Sequence, residues 1–195
     1  MNKRDIELLY EVGTLRNLER SWRQMLGVSV ANDLEHMARL SFLALILARA
    51  EGVKDEEKIL KMVMVHDLAE TRTGDGNYTH KVYVKTDDAR ATHDILSGTM
   101  LSDLLEIYEE YELRQSKEAQ IVKDADNLDV DIELRELEER GSQLPKKWRK
   151  FRRFVRNKKL YTKSARKLWD LLQMSNPSSW HLAANKWLKV KNAGR

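Results

Sequence analysis

Apolar residues recur at helical spacing over most of this chain. Leucine, isoleucine, valine and methionine fall three and four positions apart, and this spacing places them on one face of an α-helix. The stretches that show this pattern cover residues 5–17, 32–50, 55–70, 87–111 and 118–137. The alternating pattern typical of β-strands is nearly absent. The sequence therefore predicts an all-α fold, a compact helical bundle.

The predicted helix of residues 32–50 carries clear signals at both ends. Asn32 or Asp33 can accept hydrogen bonds from the first free backbone N–H groups, and Glu35 is favoured in the first turn of a helix. Gly52 stands where helices commonly end. Between the helices, residues 71–86 lose the periodicity and predict a loop.

After residue 146 the pattern predicts two or three further helices. Their large apolar anchors are Trp148, Phe151, Phe154, Leu160, Leu168, Trp169, Leu171, Leu172, Trp180 and Trp187. Several of these aromatic residues stand among basic residues and could stack on bases. Their helical spacing favours packing in the core or in a dimer interface instead.

Composition limits the class of protein. A chain of 195 residues with 42% apolar residues can bury about 70% of its unfolded surface, which suffices for one domain over residues 1–195. The absence of cysteine excludes disulfides and thiolate metal sites, which suits a reducing cytoplasm. The longest apolar run, residues 40–48, is too short to span a bilayer. We therefore expect a cytoplasmic protein without a membrane partner.

Charge is unevenly distributed, although the net charge is only +4. Residues 146–167 hold twelve Lys or Arg and no acid, whereas residues 124–139 hold eight acids and one Arg. Two solvated helix faces that partly neutralise one another would account for both runs. Alternatively, the basic run attracts phosphorylated substrates or nucleic acid.

The chain's clearest candidate chemistry follows an apolar run at residues 63–65. His66 and Asp67 stand side by side, and Glu70 follows about one helical turn later. Imidazole and carboxylate are common ligands of divalent metals, and adjacent ligands converge where a helix bends or ends. A histidine held by a neighbouring carboxylate in the core is the alternative reading of the pair alone.

Two further residues fit the same metal site. His36 shares a core-facing side with Leu40 by its i+4 spacing. Asp126 lies in an apolar stretch and can face inward, whereas Asp124 points about 200° away around the helix. Asp129, three residues after Asp126, could accept a hydrogen bond from a ligand histidine and orient it.

The order His36, His66-Asp67, Asp126 resembles the HD-domain metal-dependent phosphohydrolases. The spacing, the Glu70 that follows the pair and the Thr73-Gly74-Asp75 tail are similar to the small 5'-deoxynucleotidase branch. The resemblance implies an HD-domain bundle with one divalent ion at its centre, and it implies a homodimer. Two imidazoles and two carboxylates suit Mn, Co, Fe, Ni or Mg better than a closed structural zinc site.

The resemblance also implies the roles of the remaining site residues. Arg20 would bind the phosphate of a nucleoside monophosphate, Trp22 would crowd the sugar, and Asp75 would bind the nucleoside end. Glu70 lies one turn past the ligands, where it can deprotonate or steer a water molecule. Ser21 separates Arg20 from Trp22, so both side chains need not reach the substrate together.

Other histidines offer competing sites. His93-Asp94 repeats the dipeptide, but its flanks are polar or small and the ligand order would fail, so we expect a surface or indirect role. His80 lies in the predicted loop and is expected to be exposed. Two other functions stay open: an HD phosphohydrolase for another phosphorylated metabolite or for cyclic or polyphosphorylated nucleotides, and a helical nucleic-acid-binding module that uses residues 146–167.

Overall fold

The computed structural model describes residues 1–184, so the predicted anchor Trp187 lies outside the described residues. The α-helices are α1 Lys3–Gly13, α2 Arg23–Leu26, α3 Asp33–Ala50, α4 Glu56–Val65, α5 Glu70–Thr73, α6 His80–Tyr83, α7 Asp88–Leu96, α8 Leu104–Leu113, α9 Lys117–Glu139, α10 Leu144–Lys158, α11 Lys163–Met174 and α12 Ser179–Ala183. Within these residues the β pairing is limited to one isolated bridge between Glu19 and Asn32. The all-α prediction is confirmed.

Helix α9 is the axis of the bundle, and α3, α4, α8, α10 and α11 all pack against it. The apolar side of α9 enters the larger core cluster, which also holds residues of α3, α4, α8 and α11. Among its fully buried members are Leu40, Leu47, Ile59, Met62, Ile121 and Leu128. A smaller cluster joins α1, α4, α7 and α8. The two clusters enclose the segment that contains His66 and Asp67.

The start of α3 follows the predicted end signal. Asn32 accepts a hydrogen bond from the backbone N–H of Glu35, and the Glu35 carboxylate accepts one from the backbone N–H of Asn32. This reciprocal pair satisfies two groups that the helix itself leaves free. Asn32 is therefore the capping residue, which leaves Asp33 inside the first turn and completely buried.

Three predicted segments are divided differently in the structure. The first helix ends at Gly13 and continues as a 3-10 turn over Thr14–Asn17. The predicted helix of residues 55–70 ends at Val65, so that His66 caps its C-terminus. The predicted helix of residues 87–111 is two helices, α7 and α8, because Gly98 adopts a left-handed φ of 73° between them. Such a residue ends a right-handed helix.

The predicted loop of residues 71–86 contains two short helices, α6 and most of α5. Each is a single turn of four residues, too short for a periodic apolar pattern. No helix within residues 1–184 is long and apolar enough to cross a bilayer.

The basic helix α10 lies against the acidic side of α9. Buried Arg152 donates to Asp131 at 2.7 and 3.0 Å, and Arg149 donates to Glu138 at 2.9 Å. The two charge runs thus neutralise one another in part, which was one of the two readings of the sequence. The same pairs fix α10 beside the segment of α9 that carries Asp126.

Candidate active site

Two buried imidazoles face one another at the centre of the bundle. His36 lies in the first turn of α3 and His66 at the end of α4, and their Nε2 atoms are 3.3 Å apart. His36 Nδ1 is 2.7 Å from Asp129 Oδ2, and His66 Nδ1 is 2.8 Å from the carbonyl oxygen of Val63. Both partners are acceptors, so each Nδ1 carries the proton and donates it.

This arrangement leaves two imidazole lone pairs aimed at the same point. Asp67 Oδ2 joins them, 3.0 Å from His66 Nε2 and 3.6 Å from His36 Nε2. Nitrogen and carboxylate donors that converge in a buried place fit a divalent cation, and two neutral imine nitrogens without a proton or a cation between them would repel. The donor atoms of His36, His66 and Asp67 lie within 4.8 Å of one another.

Asp126 reaches the same place from α9. Its Oδ1 is 3.5 Å from His36 Nε2, and its Oδ2 accepts a hydrogen bond from Lys123 at 2.7 Å. It is thus adjacent to His36 but outside the close group formed by the other three donors. Although burial favours the neutral acid, Lys123 and the two histidines hold the pKa of Asp126 well below its usual range.

Arg20 is buried among four carboxylates. Its Nη1 donates to Asp67 at 2.9 Å and is 3.6 Å from Asp33, its Nε is 3.7 Å from Asp75, and its Nη2 is 3.9 Å from Asp126. Burial disfavours the charged guanidinium, but the negative charges of Asp67, Asp75, Asp126 and Glu70 outweigh burial and raise the pKa of Arg20. Arg20 therefore stays cationic beside the proposed ligands, with Nε buried and without a hydrogen-bond partner.

A second acidic group adjoins the first. Carboxylate oxygens of Asp33, Glu70 and Asp75 lie within 4.8 Å of one another, so these three residues also have donors suited to a divalent ion. Burial, followed by repulsion from Asp67 and Asp75, raises the pKa of Glu70 to about 10. Burial likewise raises the pKa of Asp33 to about 6, despite the nearby Arg20.

Asp33 adjoins the candidate site, although the sequence predicts for it only a possible role as a helix cap. Both of its carboxylate oxygens are buried without a hydrogen-bond partner. The useful signal was its position three residues before His36, since residues at i and i+3 share one helix face. An acid that shares the face of a predicted ligand is a candidate for the same site.

Trp22 and Arg20 reach the same cavity in spite of the intervening Ser21. The indole Nε1 of Trp22 donates to Glu133 at 2.9 Å, and the Arg20 guanidinium carbon is 4.7 Å from the centre of the Trp22 ring. Ser21 donates its backbone N–H to Asp75 at 2.8 Å. The backbone of Ser21 therefore links the segment to Asp75, and the side chains of Arg20 and Trp22 remain next to one another.

Two cavities open beside the buried ligands. The larger, about 500 Å³, is lined by Arg20, Trp22, Asp75 and Asp126 and by aromatic residues of α10. The smaller, about 190 Å³, is lined by His66, Asp67 and Glu70, with Lys123 on its wall. The predicted substrate residues thus share one cavity, whereas Glu70 and the His-Asp pair face the other.

The remaining histidines lie away from the group. His93 Nδ1 is 3.5 Å from Asp94 Oδ1, and the two side chains are 66% and 47% exposed. His80 is exposed on α6. The structure thus agrees with the expectation that the second His-Asp dipeptide is a surface pair.

Several known proteins are similar to this chain in sequence. A family model described as an HD domain matches residues 12–169. The 5'-deoxynucleotidase HDDC2 of Dictyostelium discoideum is 28% identical over 155 residues, which cover 73% of this chain and 82% of that protein. The 5'-deoxynucleotidase HDDC2 of Danio rerio is 30% identical over 142 residues, which cover 69% of this chain and 70% of that protein.

Solved structures agree with the family match. A conserved hypothetical protein from Pyrococcus furiosus superposes with a TM-score of 0.73 at 26% identity, covering 87% of this chain and 99% of that one. A protein from Pyrococcus horikoshii OT3 gives a TM-score of 0.69 at 27% identity, covering 87% and 96%.

Proposed function

This chain belongs to the HD-domain family. We propose that it is a metal-dependent phosphohydrolase that removes the 5'-phosphate of nucleoside and deoxynucleoside monophosphates. One observation carries the proposal. His36 and His66 direct their Nε2 atoms at one point beside Asp67, while each Nδ1 is engaged elsewhere. Side chains held in this way are prepared to bind a cation, not one another.

We assign His36, His66, Asp67 and Asp126 as the ligands of one divalent ion, drawn from Mn, Co, Fe, Ni or Mg. When bound, such an ion supplies a Lewis acid for the phosphoryl group and makes water more acidic. Asp129 orients His36 through the Nδ1 hydrogen bond, and this fixes the tautomer that offers Nε2.

The other residues act on the substrate and on water. Glu70 orients the attacking water or accepts its proton, because its carboxyl group faces the smaller cavity beside Asp67. The positive charge of a bound divalent ion would lower the pKa of Glu70 from the value of about 10 that burial and the neighbouring carboxylates give it, and the ionised form could then accept the proton. Arg20 supplies positive charge to the phosphate from the wall of the larger cavity. Asp75 accepts hydrogen bonds from the nucleoside end, and Trp22 limits the space beside the sugar.

The test is phosphate release by purified protein that has been stripped with a chelator and reloaded with single metals. Deoxynucleoside and ribonucleoside monophosphates should be hydrolysed only after one of the five metals is restored. Cyclic nucleotides, nucleoside triphosphates and sugar phosphates are assayed in parallel. Faster turnover of any of these than of the monophosphates would replace the proposed substrate class with that one.

The nucleic-acid-binding alternative receives less support from the basic helix. Three of its arginines are already paired with acids, namely Arg149 with Glu138, Arg152 with Asp131 and Arg156 with Asp170. Charge neutralised within the protein is lost to the phosphate contacts on which such binding depends.

We also propose that residues 1–195 form one HD domain that assembles as a homodimer. Several apolar side chains of the last helices are at least half exposed and lie outside the cavity, namely Phe154, Leu171, Met174, Trp180 and Leu182. A dimer interface would cover part of this surface. The cytoplasm stays the compartment that the composition predicts.

A further inference from the structure

The larger cavity has a lining of two chemical kinds. Charged groups of Arg20, Asp75 and Asp126 line it, and so do the rings of Trp148 and Phe151. Its volume of about 500 Å³ lies in the usual range for small-molecule sites, roughly 300 to 1,000 Å³. A ligand that fills this cavity therefore combines a polar or charged part with a flat apolar part.

Helix α9 gives a measure of length along this cavity. Asp126 and Val130 both line the cavity and lie four residues apart, about 6 Å along the helix. This span is similar to the separation between the phosphate and the base of a nucleoside 5'-monophosphate. A phosphate beside Asp126 would thus place the base beside Val130, where α10 begins to form the wall.

Helix α10 is held with its aromatic residues toward this space. Arg152 binds the Asp131 carboxylate and also donates to the carbonyl oxygen of Asn127 at 2.6 Å, so it fixes α10 against α9. Trp148 lies four residues before Arg152 and three residues before Phe151. Helical residues at these spacings share a face. The anchoring arginine therefore also positions the two rings.

The opposite side of the opening is also aromatic. Tyr78 lies in the loop before α6, and its ring centre is 6.2 Å from that of Phe151, at an interplanar angle of 38°. Phe151 is 53% exposed and Tyr78 is 61% exposed, although both line the cavity. Large rings left open to a cavity offer faces on which a planar group can stack.

Two of the polar side chains that line this cavity are already engaged. Asn77 accepts hydrogen bonds from the backbone N–H groups of Thr79 and His80 at 3.0 Å, and it donates to Gln24 at 3.0 Å. Arg152 is bound to Asp131. The hydrogen-bonding groups of Asn77 and Arg152 are thus largely occupied within the protein, whereas the aromatic rings leave their faces open to a flat ring.

We propose that Trp148 and Phe151, with Tyr78 across the opening, form a stacking platform for the base of the substrate, an inference that rests on the proposed function. The spacing of these aromatic residues in the sequence favoured packing in the core or in a dimer. In the structure Trp148 and Phe151 line the same cavity as the proposed phosphate-binding Arg20. Stacking on an aromatic side chain strengthens binding about tenfold or more per base.

The experiment compares two substrates that differ only in the base, deoxyadenosine 5'-monophosphate and 2-deoxyribose 5-phosphate. Trp148→Ala and Phe151→Ala should each lower kcat/KM for the nucleotide about tenfold or more and leave that for the base-free sugar phosphate within about twofold. Trp148→Phe keeps a ring and should retain most activity on the nucleotide. Deoxyadenosine should quench the fluorescence of the wild type more than that of Trp148→Phe.

Phe154→Ala is the matched control, because Phe154 lies on the same helix, is 50% exposed and does not line the cavity. It should leave both substrates unaffected. Circular dichroism and sedimentation are measured for every variant, so that a change in folding or assembly is recognised. An equal loss on both substrates, or an equal loss in Phe154→Ala, overturns the platform.

The two proposals fail in different ways. If the wild type hydrolyses neither compound with any metal, the proposed function is wrong, and the platform is judged by deoxyadenosine binding alone. Binding that weakens in Phe151→Ala and not in Phe154→Ala then upholds it. Binding that responds to neither substitution overturns it.

Discussion

His36 is oriented by a residue far away in the chain. Its Nδ1 hydrogen bond to Asp129 is buried, and Arg39 Nε also donates to Asp129. Although burial works against ionisation, His36 and Arg39 lower the pKa of Asp129, which keeps the acceptor negatively charged. A charged acceptor makes the opposite ring nitrogen a stronger metal ligand.

Asp129→Asn should therefore lower metal affinity by about 10- to 100-fold while the helical content is kept. Competition with a fluorescent chelator measures this without reference to turnover. Asp94→Asn, which changes the exposed His93-Asp94 pair, should leave affinity unchanged. Wild-type affinity in Asp129→Asn would remove Asp129 from the site.

Glu70 faces the smaller cavity next to Asp67. Its carboxyl oxygen Oε2 is buried without a hydrogen-bond partner. Glu70→Ala should keep metal affinity close to that of the wild type and lower kcat by about 10²-fold or more, because the attacking water loses the group that orients it or accepts its proton. Glu112 lines the same cavity and provides the control Glu112→Ala, which should stay active. Near wild-type turnover in Glu70→Ala would exclude it as the base.

Trp22 is the residue that should determine the preference for deoxyribonucleotides over ribonucleotides. If its ring crowds the 2' position, a ribonucleotide buries a hydroxyl without a partner, which costs about 1 to 3 kcal/mol. The ratio of kcat/KM for deoxyadenosine and adenosine monophosphates should be roughly 10 to over 100 in the wild type and fall toward one in Trp22→Ala. Trp180→Ala, a change at an exposed indole, should keep the ratio. Equal wild-type rates would contradict the deoxynucleotide preference.

At the scale of elements, Glu51 joins three helices. It follows α3, pairs with Lys117 at the start of α9 at 2.7 Å, and accepts the backbone N–H of Ser164 in α11 at 3.0 Å. The Lys117 hydrogen bond, followed by that of Ser164, lowers the pKa of Glu51 to about 2. The folded state therefore favours the ionised carboxylate relative to the unfolded chain.

The sign of the pH effect follows from this lowered pKa. The stabilisation is complete above the ordinary value of 4.5 and is lost as the pH falls toward about 2. Glu51→Gln should lower the free energy of unfolding by about 1 kcal/mol at pH 7, and the difference should shrink between pH 4.5 and 2. Thermal melts across this range measure it. Glu57→Gln, in the exposed pair with Lys61, is the control, and a pH-independent difference at Glu51 would refute the assignment.

Helix positions were largely predictable because apolar spacing and end signals act locally. The start of α3 depends on Asn32 and Glu35, which lie only three residues apart in the sequence. The break at Gly98 was not predicted, because the apolar pattern continues on both sides and a single glycine is tolerated in many helices. Whether Gly98 breaks the helix depends on contacts with the distant helix α1, because Asn2, which caps α1, donates a hydrogen bond to the Gly98 carbonyl oxygen.

The site was predictable in part for the same reason. His66 and Asp67 are adjacent in sequence, so their proximity needs no knowledge of the fold. The burial of Arg20 among carboxylates from α3, α9 and the segment after α5 depends on how distant elements pack. Neither this cluster nor the unpartnered state of Asp33 leaves a local pattern, so only the structure reveals them.

At the scale of the whole molecule, the exposed apolar side chains of α10 to α12 predict self-association. Sedimentation at micromolar concentration should give the mass of a dimer, twice 22.9 kDa. A double substitution, Leu171→Glu with Met174→Glu, should shift the protein toward monomer, since both positions are at least half exposed. Lys167→Glu in the same helix tests for a general charge effect. A wild-type monomer would contradict the prediction.

The central place of α9 has a consequence for protein synthesis. His36 and its partner Asp129 are separated by 93 positions. Helix α3 packs mainly against α9 and α4, whereas α4 packs against α3, α8 and α9. A chain emerging from the ribosome therefore leaves the surfaces of α3 and α4 that pack on α9 uncovered until α9 has been made. A protein truncated before residue 117 would therefore be bound by chaperones and degraded by proteases. It would have no residual catalytic centre, so mutations that truncate the chain there should cause a complete loss of function.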